Sequence, residues 1–204
     1  MLKLILASNS PRRRELLAGL GLPFEVRVLE GIDETYPDSL QGGDIPLYIS
    51  RAKADAYRSQ LAPDQLLITA DTIVWVDGQV LGKPHDYAEA CQMLRLLSGR
   101  THQVFTGVAL TTTWRQEAFD CRTDVTFDRL SEAEIHHYVT QYRPFDKAGA
   151  YGVQEWIGFV GVTRLEGSYF NVMGLPVQRL YKALQEFGVT PLPVGDEDLA
   201  EPQL

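Results

Sequence analysis

The stretch KLILASNSPRRREL, residues 3–16, joins a short apolar run to a polar turn and three consecutive arginines. The apolar run predicts a buried strand at residues 3–7. Ser10 can cap a helix whose first turn accommodates Pro11, and Gly21 is expected to end that helix. Because the helix dipole disfavours cations at a helix N-terminus, the three arginines predict that an anion binds at this helix start.

The turn before this helix has the features of an anion site. A strand followed by a polar turn and a helix leaves backbone N–H groups free to bind an anion. Successive residues diverge by about 100° around a helix, so Arg12, Arg13 and Arg14 cannot all hold one phosphate. One or two of them are expected to serve the site. The alternative for this stretch alone is a solvated basic helix end.

The composition is that of a soluble globular protein, with 204 residues, 45% of them hydrophobic and 23% charged. No apolar run approaches the roughly 18 to 20 residues that cross a bilayer, and the first basic cluster follows an apolar run, unlike that of a signal peptide. Cys91 and Cys121 lack metal-ligand spacing and are expected to be buried free thiols. These features favour a cytoplasmic protein that does not bind membranes. The net charge of −8 argues against nucleic acid as a partner and, with local basic clusters, favours a small anionic ligand.

The rest of the chain alternates between strand and helix patterns, which predicts an α/β fold with a mixed central sheet and flanking helices. Residues 1–189 are expected to form a single domain, and residues 190–204 a disordered tail. An acidic, glycine-rich loop is expected at residues 30–44. The other predicted strands are 23–29, two strands within 65–81 around the turn Asp77-Gly78, 106–114, 118–127 and 158–167, and the other helices are 45–61, 86–99, 131–141 and 175–188.

Two segments carry carboxylates that could do chemistry. Asp71, in ITADTIV, comes just past an apolar run and is expected at the carboxyl edge of the sheet, where ligands bind in α/β folds. Its alternative role is that of a turn or cap residue. Asp33 and Glu34, in GIDETYP, lie in the predicted loop, and a merely solvated acidic loop is the alternative there.

Two lysines complete the set of candidates, although a single lysine is usually a surface residue. Lys53 lies on a predicted helix and Lys83 lies in GKP beside the hairpin. Carboxylates that could hold Mg²⁺, together with arginines and lysines that could hold phosphate oxygens, indicate phosphoryl chemistry. The histidines form no metal-binding spacing and are expected to be structural or solvated; they are His85, His102, His136 and His137.

Motifs along nearly the whole chain, residues 4 to about 187, resemble those of the Maf family of nucleotide pyrophosphatases. In order they are LASNSPRRRELL, SRAKADA, TADTIV, GKP, LSGRTHQVFTGVAL, DKAGAYGVQ and GSYFNVMGLP. The resemblance implies an elongated, two-lobed fold like that of inosine triphosphate pyrophosphatases, with a central cleft. It also implies a metal-dependent hydrolysis that converts a nucleoside triphosphate to the monophosphate and pyrophosphate.

The resemblance also implies roles for particular residues. Asp71 matches the proposed proton acceptor, and Glu34 and Asp71 would hold a divalent cation, Mg²⁺ or Mn²⁺. Sequence does not choose between the two roles of Asp71. Arg12, Thr72 and Gln154 match positions associated with substrate choice. The residues expected to bind phosphate are Ser8, Ser10, Arg13, Lys53 and Lys83.

The run DKAGAYGVQ resembles the family branch that acts on dTTP and UTP, which implies a house-cleaning enzyme for non-standard nucleotides. The resemblance is also compatible with a link between this house-cleaning role and cell-division arrest. Two alternatives stay open: an enzyme directed at 7-methyl-GTP or other purine nucleotides, and a nucleotide-sensing regulator of septum formation. A homodimer is compatible with the resemblance.

Overall fold

The computed structural model describes residues 2–191 and shows a mixed sheet flanked by helices, as predicted. The predicted disordered tail lies almost entirely outside the described residues. The strands in this range are β1 (Lys3–Leu6), β2 (Phe24–Val26), β3 (Gln65–Val76), β4 (Gln79–Leu81), β5 (Thr101–Thr111), β6 (Gln116–Phe127) and β7 (Val162–Glu166). The helices are α1 (Pro11–Ala18), α2 (Asp44–Tyr57), α3 (Tyr87–Leu97), α4 (Glu132–Tyr142), α5 (Trp156–Gly161), α6 (Tyr169–Met173) and α7 (Val177–Glu186), with 3-10 turns at Arg58–Gln60 and Ala148–Ala150.

The sheet has the strand order β2-β1-β3-β5-β6-β7, and β4 pairs with β3. β1 is parallel to β2 and β3, whereas the other pairs are antiparallel. β5 pairs along one edge of β3. On the other edge, β1 pairs with residues 65–68 and β4 with residues 74–76. Residues 69–73 of β3 therefore have no neighbouring strand on that edge, and we call this interval the β3 gap.

Asp71 lies inside the β3 gap, within the strand. The prediction that Asp71 lies at the carboxyl edge of its own strand is wrong, because β3 continues past the apolar run through the β-branched residues Thr72, Ile73 and Val74. It is the parallel neighbour that ends: Leu6 pairs with Ile68, and β1 goes no further. The expected carboxyl edge is therefore present, but it belongs to β1.

Most predicted elements are confirmed, and the differences are local. Ser10 caps α1, as predicted, and Ser131 forms a capping box with Glu134 at the start of α4. The predicted strand at 158–167 begins only at β7, because residues 156–161 form α5. The sequence analysis missed α6, and α1 ends at Ala18, before Gly21. Within residues 2–191, no helix is long and apolar enough to cross a membrane.

Two hydrophobic clusters cover the two ends of the sheet. One contains residues of α3 and α4 packed on β5 and β6, such as Leu94 and Tyr138. The other contains residues of α1 and α7 packed on β1 and β3, such as Leu17 and Leu184. Met173 of α6 contacts both clusters, so α6 lies at their junction. Both cysteines are free thiols, as predicted. Cys91 is buried, as expected, whereas Cys121 is only half-buried.

α2 lies unusually close to the sheet at Gly107 of β5. A Cβ atom at Gly107 would come within 2.3 Å of the backbone carbonyl of Pro46, so only glycine fits at this contact. A buried hydrogen bond from the Thr69 hydroxyl to the Ser50 carbonyl, 2.7 Å long, holds the same helix on the same face. Gly107 pairs directly with Asp71, so α2 passes over the position of that carboxylate.

His102 is a structural histidine, in line with the sequence expectation. Its ring is fully buried, and its Nε2 atom lies 2.7 Å from the hydroxyl of Tyr151. Burial lowers the pKa of His102 from 6.5 to about 4. Folded His102 therefore stays neutral at mildly acidic pH, where the unfolded chain would bind a proton.

This difference predicts a pH-dependent stability. The contribution of His102 is fully present above pH 6.5 and is lost as pH falls from 6.5 towards 4, because the unfolded state then binds more protons. The shift corresponds to about 3 kcal/mol of unfolding free energy. His102→Gln, which does not titrate, should flatten the fall of stability between pH 6.5 and 4 in urea denaturation. His137→Gln, at an exposed position, is the control. Equal slopes for the two variants would contradict the assignment.

Candidate active site

A cavity of about 750 Å³ opens at the β3 gap, and the residues to which the family resemblance assigns roles all line it, whereas the candidate carboxylate Asp33 does not. Its walls come from the turn before α1, the loop before α2, the gap itself and the segment around residues 146–154. The assigned residues in its lining are Ser8, Ser10, Arg12, Arg13, Glu34, Lys53, Asp71, Thr72, Lys83 and Gln154.

The Lys53 ammonium lies between two carboxylates at the base of the cavity. Its Nζ atom is 2.9 Å from Asp71 Oδ1 and 3.0 Å from Glu34 Oε1. The side chains of Lys53 and Asp71 are each only 14% exposed, whereas Glu34 is 57% exposed. Lys53 reaches Asp71 because α2 lies so close to the sheet at Gly107. The second oxygen of Asp71 has no hydrogen-bond partner among residues 2–191.

These two carboxylates have a donor set that suits a divalent cation shared with a ligand. Across the described residues, no group of three or more His, Cys, Asp and Glu side chains could hold a metal ion. Glu34 and Asp71 already converge on one cation, the Lys53 ammonium. Hard cations such as Mg²⁺ commonly bind through one or two carboxylates and complete their coordination with phosphate oxygens and water. The residues therefore fit a cation that arrives with a phosphate ligand.

The three arginines diverge, as predicted. Arg12 forms an ion pair with Asp146, with its Nη1 atom 2.8 Å from the carboxylate. Arg14 turns back to the Ser8 carbonyl at 3.3 Å. Arg13 points towards the β3 gap. Only Arg12 and Arg13 line the cavity.

Arg13 is held by three hydrogen bonds to the protein. It donates to the Ala70 carbonyl at 2.9 Å, to the Gly174 carbonyl at 2.8 Å and to the Thr72 hydroxyl at 3.0 Å. The Ala70 carbonyl lies in the β3 gap, where a neighbouring strand would otherwise supply its donor. Burial lowers the pKa of Arg13, and the charge of Asp71 opposes that shift. At most two of its five N–H donors remain for the phosphate contact expected from the sequence.

The turn before α1 uses part of its own hydrogen-bonding capacity. The Ser10 hydroxyl accepts from the Arg13 N–H at 3.4 Å, and the Ser10 N–H donates to the Ser8 hydroxyl at 3.2 Å. Ser10 therefore serves the helix cap, which leaves less of it for the expected phosphate contact. The N–H groups of Asn9 and Arg12 have no partner within residues 2–191. Lys83, exposed at the rim, forms no ion pair with any described residue.

Gln154 lines the cavity on the wall formed by the segment around residues 146–154. Its Oε1 atom is buried and has no hydrogen-bond partner in the part of the chain that the structure describes. A buried acceptor without a partner is costly, and a ligand donor is the natural way to satisfy it. Thr72, whose hydroxyl also contacts that of Thr106 at 2.9 Å, lies on β3 beside Asp71.

Three charged residues near the cavity were not singled out from the sequence. Asp146 and Lys147 line it, and the Lys147 ammonium lies 2.7 Å from Asp146 and 3.0 Å from Glu155. Burial raises the pKa of Asp146, but hydrogen bonds from Lys147 and Arg12 outweigh that effect and lower it to about 2. Asp146 and Lys147 begin the run DKAGAYGVQ, so the signal was present in the motif, but spacing did not reveal their pairing.

The fold and the cavity define an α/β protein with a pocket for an anionic ligand, built from carboxylate, ammonium and guanidinium groups. Residues 3–187 match the family model described as Maf-like protein, so the chain belongs to the Maf family. A protein of Phocaeicola vulgatus named dTTP/UTP pyrophosphatase is 62% identical over 184 residues, covering 90% of this chain and 95% of that protein. Proteins of the same name from Bacteroides thetaiotaomicron and Porphyromonas gingivalis are 61% and 55% identical over 184 and 188 residues, covering 90% and 91% of this chain and 95% and 94% of theirs.

The solved structure of the Staphylococcus aureus Ham1 protein has a similar fold. It matches with a TM-score of 0.51 and 15% sequence identity, over 92% of this chain and 100% of that one. At this identity the likeness concerns the fold alone. It agrees with the predicted mixed sheet and flanking helices.

The contacts of Arg13 lead to a stability prediction. Arg13→Ala should lower the free energy of unfolding by about 3 kcal/mol, because two buried carbonyls lose a charged donor. Arg14→Ala removes only longer, more exposed contacts and should cost less than about 1 kcal/mol. Urea denaturation of the two variants measures the difference. Equal losses would show that Arg13 does not hold the β3 gap together.

Proposed function

We propose that this protein is a nucleoside triphosphate pyrophosphatase that converts dTTP and UTP to the monophosphates and pyrophosphate. The observation that carries the proposal is the convergence of Asp71, Lys53 and the helix start on one cavity that Gln154 also lines. The relatives named dTTP/UTP pyrophosphatase, at 55% to 62% identity over nearly the whole chain, support the same activity and substrates.

The phosphate groups would bind at the basic side of the cavity. The free N–H groups of Asn9 and Arg12 stand at the positive end of the α1 dipole, which favours a phosphate oxygen. Lys83 is unpaired within the described residues and can contact the outer phosphates. Arg13 lines the same cavity, and the N–H groups that it does not use for the protein could donate to a phosphate oxygen. The ligand thereby completes a helix start that is electrostatically unfavourable without an anion.

Asp71 is placed to act on the water that attacks the α-phosphorus. Its Oδ1 atom is held by Lys53, while its second oxygen is free to accept a proton from water. The new oxygen–phosphorus bond forms at the α-phosphorus, the bond to the bridging oxygen of the β-phosphate breaks, and pyrophosphate leaves with that oxygen. In this role Asp71 is not also a tight metal ligand, so Mg²⁺ or Mn²⁺ would be held chiefly by Glu34 and phosphate oxygens, where it would neutralise charge on the phosphates.

Gln154 suits the edge of uracil or thymine. The amide offers one acceptor and two donors, and the pyrimidine imide presents an N–H donor between two carbonyl acceptors. The buried Oε1 atom of Gln154 would accept that N–H. Cytosine has an unprotonated nitrogen at the same place, so its binding would leave the buried acceptor unpaired.

Two alternatives predict different results in simple assays. A purine-directed enzyme would prefer 7-methyl-GTP or ITP. Guanine and hypoxanthine also present an N–H donor beside a carbonyl, so the Gln154 contact argues against cytosine and not against these purines, and turnover on each nucleotide distinguishes them. A nucleotide-sensing regulator of septum formation would bind the triphosphate and release it intact. The substrate class also leads us to propose a cytoplasmic location, where nucleoside triphosphates are used. Sedimentation equilibrium measures whether the chain forms the homodimer expected from the family resemblance.

The proposed function predicts which nucleotides the protein hydrolyses. With Mg²⁺ or Mn²⁺, the purified protein should release pyrophosphate from dTTP and UTP much faster than from CTP, GTP, ITP or 7-methyl-GTP, and EDTA should abolish the release. Asp71→Asn should lower kcat by about 10³-fold, because the amide cannot accept the proton. Asp33→Asn, in the same loop as Glu34 but outside the cavity lining, is the control. Release that is absent for every nucleotide would favour the sensor alternative.

The proposed contact of Gln154 predicts how the protein distinguishes uracil from cytosine. Gln154→Ala should reduce the preference for UTP over CTP, measured as the ratio of kcat/KM values, by about 10- to 100-fold. Its effect on kcat for UTP should be smaller, because the amide is proposed to contact the base and not the reacting phosphorus. Equal proportional losses on UTP and CTP would overturn the assignment of Gln154.

A further inference from the structure

A chain of hydrogen bonds and ion pairs connects two walls of the cavity, the helix start at α1 and the segment around residues 146–154. We call it the Tyr138 network, and its members are Arg12, Asp146, Lys147, Glu155 and Tyr138. It begins at the helix start that is proposed to bind phosphate. It ends beside Gln154, the residue proposed to read the base.

Tyr138 holds the turn that carries Gln154 at both of its ends. The Tyr138 hydroxyl accepts the Gly152 N–H at 2.9 Å and donates to the Glu155 carboxylate. The turn itself closes with a hydrogen bond from the Glu155 N–H to the Gly152 carbonyl at 3.0 Å. One hydroxyl on α4 thus fixes the residues on either side of Val153 and Gln154.

The turn has little room to move. A Cβ atom at Gly152 would come within 2.9 Å of the Glu155 carboxylate carbon and 3.0 Å of the Gln154 Nε2 atom. The Gln154 amide therefore lies over Gly152, packed against the backbone that Tyr138 holds. A shift of this backbone would displace the amide.

The tether is buried and keeps its protonation state. Tyr138 is fully buried, and the Lys147 and Glu155 side chains are 9% and 20% exposed. Burial, with the Glu155 carboxylate adding to it, raises the pKa of the Tyr138 hydroxyl. The hydroxyl therefore remains a donor to Glu155 at neutral and mildly alkaline pH. Lys147 balances the charge of Glu155, which would otherwise be costly to bury.

We propose that Tyr138 and Glu155 are positioning residues that set the preference for the uracil or thymine base by fixing the Gln154 amide. Neither residue lines the cavity, so they act through the turn and not by touching the nucleotide. The inference rests on the proposed function, because it concerns how the same site recognises its substrate.

The test compares two tyrosines on one helix. Tyr138→Phe removes the tether but keeps the ring. Tyr142→Phe is the matched control, since Tyr142 stacks on Tyr138 at 5.1 Å and its hydroxyl has no hydrogen-bond partner in the described range. Tyr138→Phe should lower the ratio of kcat/KM for UTP over CTP by at least roughly 10-fold. Its kcat for UTP should change less than this ratio, and Tyr142→Phe should leave both values unchanged.

A second pair of variants separates positioning from a general loss of structure. If Tyr138 acts through Gln154, Tyr138→Phe should have no further effect on the UTP/CTP ratio in a Gln154→Ala background. Glu155→Gln should also lower the UTP/CTP ratio. The glutamine amide has only one oxygen, so it cannot accept from both Lys147 and Tyr138 as the Glu155 carboxylate does. Thermal unfolding identifies any variant that is merely unfolded.

These experiments distinguish a failure of the Tyr138 and Glu155 inference from a failure of the proposed function. Wild-type protein that releases pyrophosphate and prefers UTP, together with an unchanged ratio in folded Tyr138→Phe and Glu155→Gln, would overturn the inference alone. Wild-type protein without turnover would overturn the proposed function. Calorimetry with the α,β-imido analogues of UTP and CTP then tests the inference by binding. A preference for the UTP analogue that Tyr138→Phe loses supports it, and a preference that the variant keeps overturns it.

Discussion

The site depends on the β3 gap, the interval of residues 69–73 where β1 has ended and β4 has not begun. A continuous neighbouring strand would fill this space and use the backbone groups of β3. The gap instead opens both faces of the strand to one cavity. Because side chains alternate along a strand, Asp71 and Thr72 point to opposite faces and still line the same space. The sheet thus provides a carboxylate and a hydroxyl side by side without any special loop.

Each face of the gap is completed by a different element. On the Asp71 face, Gly107 lets α2 approach closely enough for Lys53 to reach the carboxylate. On the Thr72 face, Arg13 replaces the missing strand as the donor to the Ala70 carbonyl and extends to Gly174 at the end of α6. One glycine and one arginine, 94 positions apart in the sequence, therefore determine the geometry of the two sides.

The elements of the fold and the members of the site were largely predictable from sequence, but their partners were not. Local signals such as Ser10, Ser131 and the Asp77-Gly78 turn fix elements through contacts within a few residues. The β3 gap exists because β1 ends opposite Ile68 while β3 continues. That register joins segments some sixty residues apart, and no local pattern contains it. The same holds for Lys53, which was expected to face phosphate and instead bridges two carboxylates. The Tyr138 network was missed for a similar reason, since its tyrosine lies on a helix that carries no site motif.

The balance of charge in the cavity bears on its need for a cation. Five cationic and four carboxylate side chains line it, so it is nearly neutral although the whole chain carries −8. Most of the cations are held by carboxylates, which fixes them before a ligand arrives and reduces the reorganisation needed when it binds. A triphosphate carries several negative charges, more than the small positive excess can offset. Glu34 and Asp71 add to that negative charge on the same side. The arrangement is therefore best matched to a triphosphate that brings a divalent cation with it, because the cation offsets the negative charge of the phosphates and of the two carboxylates together.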